Sequence, residues 1–336
     1  MTLHLALARW GHELHVFTAS PNSSAVPGEH SGAFNLKFHL TSPTAAGYLN
    51  QHLFHAENSS GRPFDVVHTE SVALFHGRAR NITNLAVSWH GIAYETIHFD
   101  IIQDILRSPK EPRKPAIAER IAKVIEEVNF FDRYAHHVAT SDHVGDVLKR
   151  IYWIPEEHIH IIVNGVDEEI YRLDRKQESD FLEAMLSGVP VMGIRFASIT
   201  GSVITDAKMG YAFLPTVASI KEAVYRVCGE GREVLRKKGE AARSRALRLF
   251  TATKMATAYE RLFLCISQQT QGWKDKNDYC VREALLCEPA EDLGGGAWCP
   301  REDLDGGAAE DGGGRAGISS LDLNKKKCHN LTFFMR

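Results

Sequence analysis

The pattern of apolar runs predicts an α/β protein: a doubly wound parallel sheet, a smaller second α/β unit and a polar tail. Three observations carry the prediction. Short apolar runs that end in polar residues, FDVVHTE (64–70) and NLAVSWHG (84–91), read as parallel strands buried on both faces. Stretches with a 3.6-residue apolar period alternate with them, which makes strand–helix–strand units. From about Gln268 the chain turns rich in Gly, Asp and Glu and poor in apolar residues.

The elements follow in order. Leu3, Leu5 and Leu7 with Ala6 and Ala8 form a short amphipathic helix, which Gly11 closes at a C′ position. ELHVFTA (13–19) alternates as a strand, and FDVVHTE and NLAVSWHG follow it. The stretch 116–137 keeps a helical period through Ile117, Ile121, Val124, Ile125, Val128 and Phe131. HVATS (137–141) is the next strand, and Ser141 caps DHVGDVLKRIY (142–152) with Asp142 favourable in the first turn. HIHIIVNGVD (158–167) is a last strand with its exit loop.

The second unit is shorter. ESDFLEAMLSG (178–188) is a helix closed by Gly188, VPVMGIR (189–195) a strand behind it, and GYAF (210–213) a second short strand. Ser219 is expected to cap IKEAVYRVCG (220–229). Two helices follow, over 231–250 and, after a Thr251 cap, over 252–267. One or two strands are expected here, against four or five before Asn164. The tail buries too little apolar surface to offset its ordering entropy and is expected to be disordered.

Bulk numbers exclude several classes. The net charge over 336 residues is −3 with both signs mixed, so no basic face marks a nucleic acid partner. The six cysteines all lie beyond residue 200 and none has Zn-ligand spacing. They read as thiols of a reducing compartment. No apolar run reaches the ~20 residues of a membrane span. The start is too short and interrupted for a signal peptide, which leaves the compartment unknown, with cytoplasmic the default expectation. Sequons at Asn22, Asn58, Asn81 and Asn330 have meaning only in a secreted chain. His52 with His55, and His158 with His160, lack a third ligand at metal spacing.

LHLALARWGHELHVFTA (3–19), VSWHG (87–91), NGVDEEIYRLD (164–174) and FLEAMLSGVPVMGIR (181–195) occur in the order seen in family 4 glycosyltransferases of the GT-B fold, and the chain resembles that family over residues 1–267. SWHGIAYETIHFDIIQDIL (88–106), RYAHHVATSDHVGDVLKRIY (133–152) and ASITGSV (197–203) look most like a plant branch labelled as the UDP-glycosyltransferase superfamily. The resemblance implies two Rossmann-like domains facing across a cleft. Residues 1–172 would be the acceptor domain without its first strand. Residues 173–267 would be a remnant of the nucleotide-sugar domain, and 268–336 a low-complexity tail.

Site residues follow from the same resemblance. His90, at the end of the LAVSW strand, matches a His close to the transferred sugar, where an imidazole hydrogen-bonds the sugar or steers a proton. Glu183 matches the second Glu of a Glu–seven residues–Glu motif, whose carboxylate accepts from ribose hydroxyls. Arg175 stands where the first Glu belongs, so the sugar-facing carboxylate is not carried over. Ser198, Thr200 and Gly201 look like the loop bordering the donor site. Asn164, Gly165 and Asp167 either line the cleft or form a plain turn and are read chiefly as the domain junction, with Gly165 allowing a tight, positive-φ turn.

The implied activity is transfer of a sugar from a nucleotide-sugar, with a UDP-sugar the favoured donor, to an acceptor, with retention and with no cofactor or metal. Between Asp174 and Glu183 the family pattern has a strand, a phosphate-gripping Arg/Lys segment and further βα units, on the order of 100 residues that this chain lacks. Impaired turnover is therefore expected. The other reading is a non-catalytic remnant acting as a binding module.

Overall fold

The computed structural model describes residues 2–19, 35–41, 54–57, 59, 61–71, 79–107, 109–110, 116–168, 181–270 and 332–335. The first unit is built on a seven-stranded sheet. Its strands are β1 (Leu14–Ala19), β2 (Leu36–Thr41), β3 (Val66–Glu70), β4 (Leu85–Trp89), β5 (His136–Ala139), β6 (Ile159–Ile161) and β9 (Thr332–Met335), in the order β2-β1-β9-β3-β4-β5-β6. All neighbours run parallel except β9, which is antiparallel to both β1 and β3.

The helices cover both faces of this sheet. α1 (Thr2–Arg9) ends on Gly11, whose φ of +97° supplies the left-handed residue that a helix exit favours. α2 (Ala93–Ile105) and α3 (Ala116–Phe130) precede β5, and α4 (Asp142–Arg150) follows it. Ser141 caps α4 as expected, accepting from Val144 N–H at 3.2 Å. One core gathers Phe17, Phe54, Phe64, Leu85, Val87, Trp89, Phe131 and Leu148. The opposite face buries Leu3, Leu7, Leu14, Val16 and Val66.

The second unit has a two-stranded parallel sheet of β7 (Val191–Ile194) and β8 (Gly210–Phe213) among the described residues. Around it lie α5 (Phe181–Leu186), α6 (Ala197–Thr200), α7 (Val217–Gly229) and α8 (Arg232–Leu249). Met185, Leu186, Val191, Ile204, Ala242, Ala246, Leu249 and Phe250 make its core. Gly188, at φ +72°, closes α5, and its carbonyl lies where a Cβ on Gly239 of α8 would be, so the two backbones touch. α9 (Ala252–Thr270) then returns to the first unit, where Ala256, Tyr259, Leu262, Phe263 and Ile266 join the α1 core.

The structure departs from the sequence expectations at several points. β2 was not expected, although LKFHLT alternates apolar and polar. α7 starts at Val217 with Thr216 as its N-cap, three residues before the expected cap. Thr216 accepts from Ser219 N–H at 3.2 Å, while Ser219 Oγ accepts from Leu214 N–H at 3.0 Å. The α3 stripe is only half buried: Ile121, Ile125 and Val128 face solvent. Cys265 is disulfide-bonded, against the expectation of thiols throughout, and Cys228 is free and exposed. Most of the expected tail, 271–331, lies outside the described residues, but Thr332–Met335 is a strand. His158 sits in a 3-10 turn before β6, not on the strand with His160. No described helix is long and apolar enough to cross a membrane.

Candidate functional site

Parallel strands present their carboxyl ends on one edge, and ligands of such sheets bind there. His90 is the first residue after β4 and is exposed on this edge. Its position is set by its neighbours. Trp89 is 1% exposed, stacks on Phe131 at 4.1 Å and donates from its indole N–H to His137 Nδ1 at 3.0 Å. Thr140 Oγ1, at the end of β5, donates to the Trp89 carbonyl at 3.2 Å. On the other side of His90, both carboxylate oxygens of Glu127 accept from Ala93 N–H at 3.0 Å. Tyr152 O–H donates to the same carboxylate. Burial leaves Glu127 above the usual carboxylate range, although the Tyr152 and Ala93 donors offset part of that rise. His90 therefore stands between two pinned backbone points.

The second unit turns the end of β7 toward this edge. Phe196, just beyond β7, packs edge-on to Phe99 at 5.5 Å and to His143 at 5.9 Å, and lies 6.1 Å from His98. Phe99 and His98 belong to α2, which starts after β4; His143 lies in the first turn of α4, which starts after β5. The carboxyl ends of the two sheets thus meet through one aromatic contact.

The second unit by itself lines an open cleft of about 300 Å³, with Arg195, Thr200, Tyr211, Arg226 and Lys238 among its walls. Two of its cations are engaged. Lys238 donates to the Ala207 carbonyl at 2.7 Å and sits 4.4 Å over the Tyr211 ring. Arg226 pairs with Glu222 at 3.4 Å. Arg195 makes no ion pair among the described residues. Tyr211 O–H donates to Glu230, and burial with that carboxylate pushes the phenol up to about 12.

The residues singled out from sequence fall in different places. Thr200 lines the cleft, and Gly201 follows it, exposed. Ser198 lies in α6, with its side chain outside the described residues. Glu183 is half-buried in the first turn of α5. Asn164 is exposed and Asp167 half-buried. Gly165 is a junction of a different kind from the one expected. Its φ is not positive. A Cβ there would stand 2.3 Å from the Thr251 carbonyl oxygen, so glycine is required by close backbone approach. Val166 bridges Thr251, donating to the Phe250 carbonyl at 2.9 Å and accepting from Ala252 N–H at 2.8 Å. Arg175, like most of the link between the units, lies outside the described residues.

Sequence reasoning missed Glu127, Glu168 and the cations of the cleft. Glu168 caps α9, accepting from Ala252 N–H at 3.0 Å and from Thr253 Oγ1 at 2.7 Å. No local signal marks either carboxylate, because each acts on a backbone far away in the chain.

Residues 1–170 match the family described as Glycosyltransferase Family 4. The chain belongs to glycosyltransferase family 4. Among solved structures it is similar to a sucrose-phosphate synthase from Thermosynechococcus elongatus, at 14% identity and a TM-score of 0.57, over 78% of this chain and 92% of that one. At that identity the likeness speaks for the fold: Rossmann-like units with parallel sheets, of the GT-B type. A glycosyltransferase from Rickettsia africae ESF-5 superposes at a TM-score of 0.36 and 10% identity, over 54% of this chain and 90% of that one, too weakly to carry weight. No curated protein matches the sequence.

One further cluster of this family 4 glycosyltransferase has metal-ligand atoms in reach of one another. His15, His39 and Glu57 offer atoms within 4.8 Å, near the amino end of β1 and away from the edge that carries His90. His15 Nδ1 lies 3.1 Å from His39 Nε2, and His15 Nε2 lies 3.1 Å from Glu13. His15 and His39 also stack, at 5.1 Å. Hydrogen bonding between the rings accounts for this geometry without an ion.

Proposed function

We propose that the protein transfers a glycosyl group from a nucleotide-sugar of the UDP class to an acceptor, with retention and without a metal, and that this chain does so slowly. The observation that supports the reading is the meeting of two parallel-sheet carboxyl ends, one bearing His90, in a chain of this family. The acceptor lies on the first sheet. His90 hydrogen-bonds the transferred sugar or steers the acceptor proton. The donor lies on the second unit, with Glu183 accepting from the ribose hydroxyls and Ser198, Thr200 and Gly201 bordering the phosphates. Asn164, Gly165 and Asp167 serve as the junction. In the first unit the Ala93 N–H is already taken by Glu127, and the Val144 N–H by Ser141. That leaves the diphosphate to the cleft of the second unit, where Arg195 is the available cation.

Slow turnover follows from the same cleft. Arg226 and Lys238 must exchange existing partners for phosphate, and a two-stranded sheet is a slight platform for them. The absent segment between Asp174 and Glu183 is the source of both features in this reading. The non-catalytic binding module is the second reading, favoured by that same two-stranded sheet.

Calorimetric titration with UDP-glucose and other UDP-sugars at millimolar concentration decides between them. Weak, saturable binding with slow donor hydrolysis is the expected result. No heat of binding at millimolar donor would remove the enzyme reading and leave the binding module. In a chain that turns over, His90→Ala is expected to lower transfer by about 10²-fold or more while leaving donor affinity unchanged. Unchanged transfer would take His90 out of the site.

A further inference from the structure

β1 and β2 bring two histidines to one face of the first sheet. Phe17 pairs with His39 and His15 with Lys37, so His15 and His39 are diagonal neighbours across the two strands. The Phe17 ring stacks on His39 at 4.2 Å and holds it beside His15. Glu57, from the segment 54–57, brings a carboxylate to the same spot. His15 is fully buried, and His39 and Glu57 are half-buried.

Glu13 fixes where the hydrogens lie. Its carboxylate accepts from Lys37 Nζ at 3.0 Å and from Arg62 at 3.3 Å. An ionised carboxylate only accepts, so the hydrogen of its 3.1 Å bond to His15 sits on Nε2 of that ring. In the neutral ring the lone pair is then on Nδ1. That lone pair faces His39 Nε2 at 3.1 Å and a Glu57 carboxylate oxygen at 3.7 Å. One hydrogen, on His39 Nε2, satisfies the two rings. It leaves the Glu57 oxygen turned toward a second electron-rich atom. A divalent ion in place of that hydrogen draws all three groups together.

The distances fit such an ion. Ligand atoms about 2.0–2.2 Å from a tetrahedral zinc stand about 3.3–3.6 Å from one another. The observed 3.1 and 3.7 Å bracket that range. Two imidazoles and one carboxylate suit zinc or a similar transition ion, whereas magnesium and calcium take oxygen ligands. A carboxylate on the far nitrogen of a metal-bound histidine orients the ring and makes it a stronger ligand. Glu13 has that place on His15.

We propose that His15 Nδ1, His39 Nε2 and the Glu57 carboxylate bind one zinc ion or a similar divalent transition metal, with Glu13 as the positioning residue for His15. On binding, His39 shifts its hydrogen from Nε2 to Nδ1 and presents the Nε2 lone pair. The ion ties β1, β2 and the segment 54–57 together. It lies away from the edge that carries His90, takes no part in sugar transfer, and is tested without it.

The full chain, stripped with a chelator, is titrated with zinc against a chromophoric zinc indicator. One equivalent is expected to bind and to raise the thermal midpoint. His39→Gln and Glu57→Gln are each expected to weaken that binding by about 100-fold or more. Glu13→Gln, whose amide oxygen still accepts from His15 but carries no charge, is expected to weaken it by about 10–100-fold. X-ray absorption at the zinc edge of the native chain is expected to show nitrogen and oxygen neighbours and no sulfur, a readout that requires no variant to fold. Failure of the native chain to bind one equivalent, or native affinity in any of the three variants, overturns the proposal. Sulfur around the zinc also overturns it, since it assigns the ion to cysteines as an adventitious ion only.

Discussion

His68, His136 and His137 lie buried in the first sheet, and burial is the main cause that pulls them down to about 3, about 4 and about 3. His68 Nε2 bonds Ser88 Oγ at 2.7 Å, which in turn bonds Tyr259 of α9 at 2.6 Å. His137 accepts the indole N–H of Trp89 and is therefore neutral in the fold. In the unfolded chain these imidazoles titrate near 6.5. Between about pH 6.5 and 4 the unfolded state binds more protons, so stability is full above 6.5 and falls as pH drops, by up to about 1.4 kcal/mol per pH unit for each histidine. Urea midpoints at pH 7.5, 6 and 5 are expected to decline in that order, and a flat series would contradict the burial of neutral rings. Gly165→Ala is a second test at this scale. Its Cβ would meet the Thr251 carbonyl, so the junction must shift, at a cost of roughly 1–3 kcal/mol. A thermal midpoint equal to that of the native chain would show that the approach is looser. The need for a glycine was legible in NGVD, but the expected turn was not found: Val166 bridges Thr251 instead, and the reason for the glycine lies in that residue, remote in sequence.

Among the elements, α9 is the one whose role changed most between sequence and structure. Its helical pattern and Thr251 cap were legible, and Lys254 N–H does donate to Thr251 Oγ1 at 3.3 Å. Its place was not, because an amphipathic stripe does not name the surface that covers it. Glu168 holds the start of α9 through two bonds, at a separation of 84 residues for the backbone one. Glu168→Ala is expected to cost about 1–2 kcal/mol, from the lost cap and the favourable charge at a helix N-terminus. Chemical denaturation measures it, and Glu168→Gln should recover part of the loss, since an amide oxygen still accepts. The α3 stripe teaches the converse. Its period was read correctly, but the partly buried Val124 and Glu127 lie on the helix beside an exposed Ile121, Ile125 and Val128. Position on the sheet, and the demand of Ala93 N–H for an acceptor, selected the buried residues.

For the whole molecule, the contact at Phe196 joins the carboxyl ends of the two sheets and sets how they face. Phe196→Ala removes its ring contacts with His98, Phe99 and His143, each worth about 0.5–1.5 kcal/mol for an aromatic pair. Scanning calorimetry is expected to show the single transition broadening or dividing in two, with the first unit melting near its original temperature. An unaltered single transition would mean that α9 alone couples the units. By itself the sequence determined the alternation of strands and helices, most caps, the parallel character of the sheets and the place of His90 at a strand end. These are local: period, flanking residues and strand-end polarity are properties of short windows. Only the tertiary structure decided that Glu127 pins the backbone after His90, that Glu168 caps α9, that Arg195, Arg226 and Lys238 share one cleft, and that TFFM fills the centre of a sheet. Each of these is a pairing between groups far apart in the chain, and a hydrogen bond or a strand ladder acquires its partner only when folding brings the two together.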